Sequence, residues 1–495
     1  MKTNDCNRAK SGTRSIQTRG WSVVILGLLT LFGAGAVRAQ TVTALHDFNG
    51  TPNDGDGPFL MHLIQATDGY FYGTTISGGI SNAGNVFRIS SNGVYTNIYD
   101  FKSAYADDGQ TAESGVIQGS DGNFYGTTFQ GGSNFYGTIY KVTPAGVETN
   151  IHYFQGRAAG EGIQPFAALY QSTNGYFYGT TSAGGTRGYG TVFQIDSAGN
   201  FMTIYSFTNG LDGSDPYAGV VQGSDGYFYG TTFYGGASNL GTLYKVSMTG
   251  DFVPLHQFGA NSNDGAYVDS GLILGSTGDF FGTTYGGGTN GDGTVFRLNS
   301  SGVLSYIYNF GNYTYDGLNP HSALTQGSDG YLYGTTYLGG TNGNSGTIFK
   351  IGPTGGVIYL HNFDAFAGDG AFPTGQLVEG YDGNYYGTTF MGGSNQIGVV
   401  YKLAYPPSTN NPNNPNITET GSSGTGANTT NNVVVSFAAI AGETYHLQYA
   451  NSLPAPAWSN VPGVYLSNAI GGPTSISNLI TTSVPERFYR LQVTP

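Results

Sequence analysis

The sequence predicts an all-β protein whose main body is a seven-bladed β-propeller, and three observations carry that expectation. Gly-Thr-Thr recurs at Gly73, Gly126, Gly179, Gly230, Gly282, Gly334 and Gly387, with spacings of 51 to 53 residues. Each unit holds four short runs of strand character separated by turn residues. A fourth-slot strand, His46-Asp47-Phe48, stands ahead of the first complete unit, while the last unit stops after its third strand at Val400-Tyr401-Lys402-Leu403. A period near fifty marks an array of supersecondary units, each unable to bury its faces alone. Seven four-stranded meanders set radially close into a ring, and the early strand then fills the vacant edge of the last blade. An open β-solenoid gives that displaced strand no purpose.

Within a unit the first strand is apolar and often ends in Gln, as in Leu63-Ile64-Gln65 and Val220-Val221-Gln222. An Asp-Gly turn follows (Asp121-Gly122, Asp225-Gly226, Asp329-Gly330, Asp382-Gly383), a short-range hairpin signal because Gly supplies the positive φ. The second strand is aromatic and runs into Gly-Thr-Thr, as in Tyr70-Phe71-Tyr72-Gly73-Thr74-Thr75. The third alternates before one basic residue, the slot of Arg88, Lys141, Lys245, Arg297, Lys350 and Lys402, expected as snorkelling stems on a blade rim. The fourth ends in aromatic-x-Phe, as in Tyr99-Asp100-Phe101 and His361-Asn362-Phe363. Strands apolar on both faces suit blades packed between neighbours.

Residues 1–39 read as a signal peptide, with basic Lys2, Arg8, Lys10, Arg14 and Arg19, an apolar Trp21 to Val37 run, and Val37-Arg38-Ala39 before the cut. Without them the chain keeps 11 basic and 29 acidic residues, a formal charge of −18. Such a charge disfavours nucleic acid and anionic membrane surfaces, and no membrane span is expected after cleavage. The sole cysteine, Cys6, lies in the signal, so the mature protein has neither disulfide nor thiolate chemistry. Residues 405–432, rich in Pro, Asn, Thr and Gly, read as a linker, and 433–495 as a small β-sandwich. A secreted, extracellular or cell-surface location follows.

The run Gln118-Gly119-Ser120-Asp121-Gly122-Asn123-Phe124-Tyr125-Gly126-Thr127-Thr128, with Gly131-Gly132 after it, resembles the GloVer-type tandem repeat of secreted bacterial proteins of the choice-of-anchor kind. The likeness covers all seven units, from about residue 42 to residue 404. It implies an exported repeat protein with no assigned reaction, so no catalytic residue is carried over from it. The Asp-Gly-x-aromatic-aromatic-Gly-Thr core is also similar to sensor-type propeller repeats, which bears on fold alone.

Propeller topology puts the loop after the fourth strand on the same face as the loop after Gly-Thr-Thr. The first of these carries an acidic-Gly pair in every unit: Asp56, Asp108, Glu161, Asp212, Asp264, Asp316 and Asp369. Together with Tyr136, Tyr189, Arg157, Arg187 and His321 they are the candidate ligand-face residues. Each Asp can instead cap its own turn. His46, His152, His256 and His361 share one slot, so they point outward around the ring and cannot converge on one ion. No metal site is read; calcium remains an open role for the carboxylates. The expected function is a binding or scaffold protein that recognises carbohydrate, a glycan or cell-envelope component, on the long-loop face. The alternative is a polysaccharide-degrading lyase or hydrolase on that face, which needs residues that break the repeat; no catalytic motif is present.

Overall fold

The structure, a computed structural model, describes residues 41–404 apart from 51 and 103–106, and beyond them six strands between Asn416 and Thr494. The signal-peptide reading lies outside these residues. Seven four-stranded antiparallel sheets follow the period of the sequence. Blade 1 is Ile64–Gln65, Phe71–Thr74, Asn85–Ile89 and Tyr95–Asp100. Blade 7 takes Val378–Glu379, Tyr385–Thr389 and Val399–Ala404 from the end of the repeat array and its fourth strand, Thr41–Asp47, from the start. That closing strand runs antiparallel from Thr41 opposite Ala404 to Asp47 opposite Val399, with a bulge between Ala44 and His46. The ring is closed, as the displaced strand predicts.

Each part of Gly-Thr-Thr has a physical job. The third-strand aromatic crosses over the glycine, so a Cβ at Gly73 would fall 2.8 Å from Phe87 and one at Gly179 would collide with Phe193. The first Thr ties one blade to the next: Thr180 Oγ1 donates to the Ala218 carbonyl at 2.9 Å and Thr283 Oγ1 to that of Ser322 at 3.1 Å. The second Thr ties the blade to itself, with Thr181 meeting Thr191 at 2.7 Å and Thr232 meeting Thr242 at 2.9 Å. Both threonines are buried in all seven copies, and most of these hydroxyls find such partners, Thr231 and Thr388 Oγ1 being the exceptions.

Aromatic pairs between neighbouring second strands weld the blades. Tyr72 stacks on Phe124 at 3.9 Å, Tyr178 on Phe228 at 3.9 Å and Tyr333 on Tyr385 at 4.1 Å, while Phe71 on Tyr386 at 4.0 Å carries the stack across the closure. Such pairs contribute about 0.5–1.5 kcal/mol each beyond area burial. The first-strand Gln does the same on the short-turn face, where Gln118 accepts the Thr67 N–H at 3.0 Å and Gln65 accepts that of Tyr381 at 2.7 Å.

The Asp-Gly turn is a small network. Asp121 accepts the Asn123 N–H at 3.1 Å and the Tyr125 hydroxyl at 2.7 Å. Where the sequence has Asn174 instead, its amide donates to Tyr178 at 2.9 Å, so the substitution keeps the bond with its polarity reversed. The basic slot also has partners: Lys245 lies 2.9 Å from Asp225, Lys402 3.0 Å from Asp382 and Arg297 2.6 Å from Asp279.

The remaining strands form two three-stranded antiparallel sheets, as a small sandwich requires. The first of them, Asn416–Ser423, pairs with Thr429–Ala439 and falls inside the stretch read from composition as linker. Backbone pairing along one side, with Thr429–Ala439, outweighs the low strand propensity of Asn and Gly there.

Candidate functional site

The two long loops of each blade meet as a ribbon. Gly55–Asp56 pairs with Ser77–Gly78 and Gly109–Gln110 with Gln130–Gly131, and single bridges join Ser214 to Tyr234 and Ala371 to Met391. These loops therefore share one face of the ring.

The repeated carboxylates act on that face as clasps. His46 Nε2 lies 3.0 Å from Asp54, Tyr99 donates to Asp108 at 2.6 Å, and His152 meets Glu161 at 3.1 Å. Tyr205 with Asp212 at 3.1 Å, His256 with Asp264 at 3.0 Å, Tyr308 with Asp316 at 3.0 Å and His361 with Asp369 at 2.5 Å complete the set. The same carboxylates accept loop N–H groups, such as those of Lys102 at 2.8 Å and Thr208 at 2.8 Å. The repeat position in the first unit belongs to Asp54, not Asp56. Two Asp-Gly pairs stand side by side there, and only the geometry of the His46 contact selects one. The shared His/Tyr slot of the fourth strand is thus one half of a loop clasp on the outermost strand, and the structure spaces the seven carboxylates around the ring without bringing them together. Among the described residues no three His, Asp or Glu side chains converge as a metal-binding group.

Burial alone would raise the Asp264 carboxyl, but bonds from His256, Tyr306 and the Ala260 N–H hold it below its ordinary value. A depressed carboxylate contributes stability above its unfolded pKa and loses it as pH falls. Asp264→Asn therefore costs about 1–3 kcal/mol at pH 7. Thermal unfolding of the two proteins across pH should show that gap closing in acid.

Of the other sequence candidates, Arg157, Arg187, Tyr136 and Tyr189 are exposed on loops. Arg157 opens a single 3-10 turn, Arg157–Ala159. His321 is placed differently. It lines a channel of about 510 Å³ bounded by the first strands of the blades and the segments leading into them. Small residues such as Ala167, Ala168, Gly219, Gly271 and Ala323 keep that channel open.

At the long-loop mouth, one repeat position is occupied by Leu60, Glu113, Phe166, Tyr217, Asp269, His321 and Thr374 in the seven blades, and all but Glu113, which faces Tyr217, line the channel. His321 Nδ1 lies 3.0 Å from Asp269 Oδ2, near enough for an ion pair though off the line of a hydrogen bond. The Asp269 side chain is 5 % exposed and its Oδ1 is unpartnered, as is the buried Oε2 of Glu113. Burial pushes the Asp269 carboxyl up to about 6, with His321 opposing, and Glu113 up to about 7. Burial pushes the channel-lining His62 down to about 4, so it is neutral at physiological pH.

Aromatic rings surround these groups in two arcs. Phe129, Phe166, Tyr217, Phe233 and Tyr267 follow one another at centroid separations of 5.0–5.8 Å. Tyr285 and Tyr337 flank His321 at 5.3 and 5.8 Å, and Phe59 reaches it at 6.1 Å. Glu113, Asp269, His62 and Tyr217 were not among the sequence candidates. Glu113, Asp269 and Tyr217 share one highly variable column, thirteen residues before each Gly-Thr-Thr, and His62 lies in the column two residues on, where the other blades carry Gly, Ala or Gln.

Among solved structures, the fold is similar to a puromycin hydrolase, with 10% identity over 78% of this chain and 59% of that one and a TM-score of 0.45. The chain thus spans about three fifths of that enzyme's length. It is also similar to the BP39L lectin from Burkholderia pseudomallei (10% identity, 65% and 95% covered, TM-score 0.34) and to an ulvan lyase (10% identity, 79% and 84% covered, TM-score 0.33). No curated protein matches the sequence. The repeat itself identifies the family: residues 30–161, 104–277 and 255–450 match its pattern, and the chain belongs to the Gloeobacter/Verrucomicrobia repeat family.

Proposed function

We propose that the protein is an exported carbohydrate-binding propeller that takes a glycan at the long-loop mouth of its central channel. The aromatic collar around buried carboxyl groups is the observation that supports this reading. Sugar rings present C–H faces that stack on Phe and Tyr, while their hydroxyls need the polar atoms that Asp269 and Glu113 leave unpartnered. The volume of about 510 Å³ suits a few saccharide units entering end-on. Export is supported by the basic and apolar start of the sequence, and no helix among the described residues is long and apolar enough to cross a membrane.

A glycan array probed with and without calcium tests the reading and the open calcium role together. Tyr217→Ala and Phe166→Ala, which remove rings lining the channel, should each weaken binding about 3- to 10-fold. Tyr136→Ala and Tyr189→Ala, which do not line the channel, should change it less. Equal losses from all four would move the site to the outer loops.

A polysaccharide-degrading activity is the alternative, favoured by Glu113, whose raised carboxyl holds its proton near neutral pH as a general acid must. New reducing ends from any glycan, lost in Glu113→Gln, would select it.

A further inference from the structure

The inference drawn here rests on the channel mouth being a glycan site, and it names the class of glycan. The mouth is short of positive charge. Among the described residues lining the channel there is no Lys or Arg, and the basic slot of the repeat is already engaged elsewhere, as by Lys245 with Asp225 and Lys402 with Asp382. What the mouth offers instead is carboxylate oxygen without a donor. Asp269 Oδ1 is buried on a side chain 5 % exposed, and among the described residues no hydrogen bond reaches it. A buried acceptor left unmade costs about 1–3 kcal/mol, more when charged, so a ligand that supplies the donor recovers that cost on binding. Around it stand aromatic rings, Tyr285 and Tyr337 flanking the His321 that contacts Asp269, and Tyr217 in the neighbouring blade. The negative faces of such rings attract cations and do nothing for anions.

We propose that the channel mouth takes an ammonium group, so that the glycan recognised is one carrying free amino groups, such as a glucosamine oligomer. An ammonium brings three donors and no acceptor, the complement of an unpartnered carboxylate oxygen. Uronate-bearing glycans bring a second carboxylate to the same place and are repelled. N-acetylated sugars lose the charge and fill the space with a methyl group.

The titration of the mouth agrees. The groups facing Asp269 are His321 and Tyr285, and Tyr217 faces Glu113; His62 is neutral. Burial keeps both carboxyls partly protonated near pH 6 to 7 in the free protein. A cation draws them into their ionised form, so binding releases protons, and the release fades as pH rises above both values.

Calorimetry on the full chain at pH 6.5 tests this with four tetramers: of glucosamine, N-acetylglucosamine, glucose and galacturonate. The glucosamine tetramer should bind at least about tenfold tighter than its N-acetylated counterpart, with proton release seen as a dependence of heat on the buffer used. Asp269→Asn, nearly isosteric, should remove that preference, bringing the glucosamine and N-acetylglucosamine tetramers within about twofold of each other. Glu113→Gln should reduce it independently, which keeps the test alive if one variant fails to fold. If neutral tetramers bind as well as the amino form and neither variant matters, the cation inference falls while the glycan reading stands. Preferential binding of galacturonate has the same meaning. If no tetramer binds, both fall.

Discussion

A chain lacking residues 40–48 melts roughly 10–20 °C lower than the intact protein and associates in solution. Deletion removes six residue pairings with Val399–Ala404 and takes Phe48, fully buried beside Phe71, Tyr386 and Val400, out of the core. It also removes His46 from the Asp54 clasp and the Phe48 carbonyl from the Asn395 amide, a 2.9 Å bond. Each ladder bond contributes about 1 kcal/mol net and a buried Phe about 2–3 kcal/mol, so the loss consumes much of an ordinary domain's stability. The exposed edge then offers unpaired N–H and C=O groups to other chains. Calorimetry and size-exclusion chromatography read the two effects, and a synthetic peptide of residues 41–49 should partly restore the melting temperature. An unchanged transition would mean that the last blade is stable with three strands, contrary to the closure described above.

Gly190→Ala carries the second largest effect, about 3 kcal/mol or more. Gly190 sits just before a third strand with φ +97°, and an added Cβ would be driven inside 3.0 Å of both the Thr181 carbonyl oxygen and the Pro216 ring. The same slot in other blades, Gly84, Gly137, Gly241, Gly293, Gly346 and Gly398, shows φ of 91–102° and the same carbonyl. Gly175 separates the two costs, because its φ is +88° but nothing lies within 4 Å of its Cβ position. Gly175→Ala should therefore cost only the conformational part, about 1–2 kcal/mol. Chemical denaturation of the two variants measures the difference, and equal losses would show that the steric contribution is absent.

Much of the fold was legible because each repeat copies its own instructions. Seven Gly-Thr-Thr triplets located the second strands, and the stray His46-Asp47-Phe48 announced the closure that pairs it with Val399 and Val400. The acidic-Gly loops were legible as turn caps, apart from the first unit, where Asp54-Gly55 and Asp56-Gly57 compete and the His46 contact decides. The lone strand Asn416–Ser423 was hidden by a composition that reads as solvated linker. The channel mouth was hidden for another reason. Asp269 and His321 lie fifty-two residues apart and meet only because adjacent blades bring equivalent positions together. His321 is legible as a residue that breaks the repeat, whereas Asp269 and Glu113 are masked by the many acidic residues of the loops.

The threonine links between blades have a consequence for how such a protein changes its specificity. Thr74, Thr127, Thr180 and Thr283 grip main-chain carbonyls of Ser114, Ala167, Ala218 and Ser322, each the residue next to the variable one. The grip falls on atoms every amino acid possesses, so it is indifferent to the side chain beside it. The sockets of Glu113, Phe166, Tyr217 and His321 can thus be refilled one at a time while the frame keeps its shape. Ligand preference is free to drift by single substitutions that leave folding untouched.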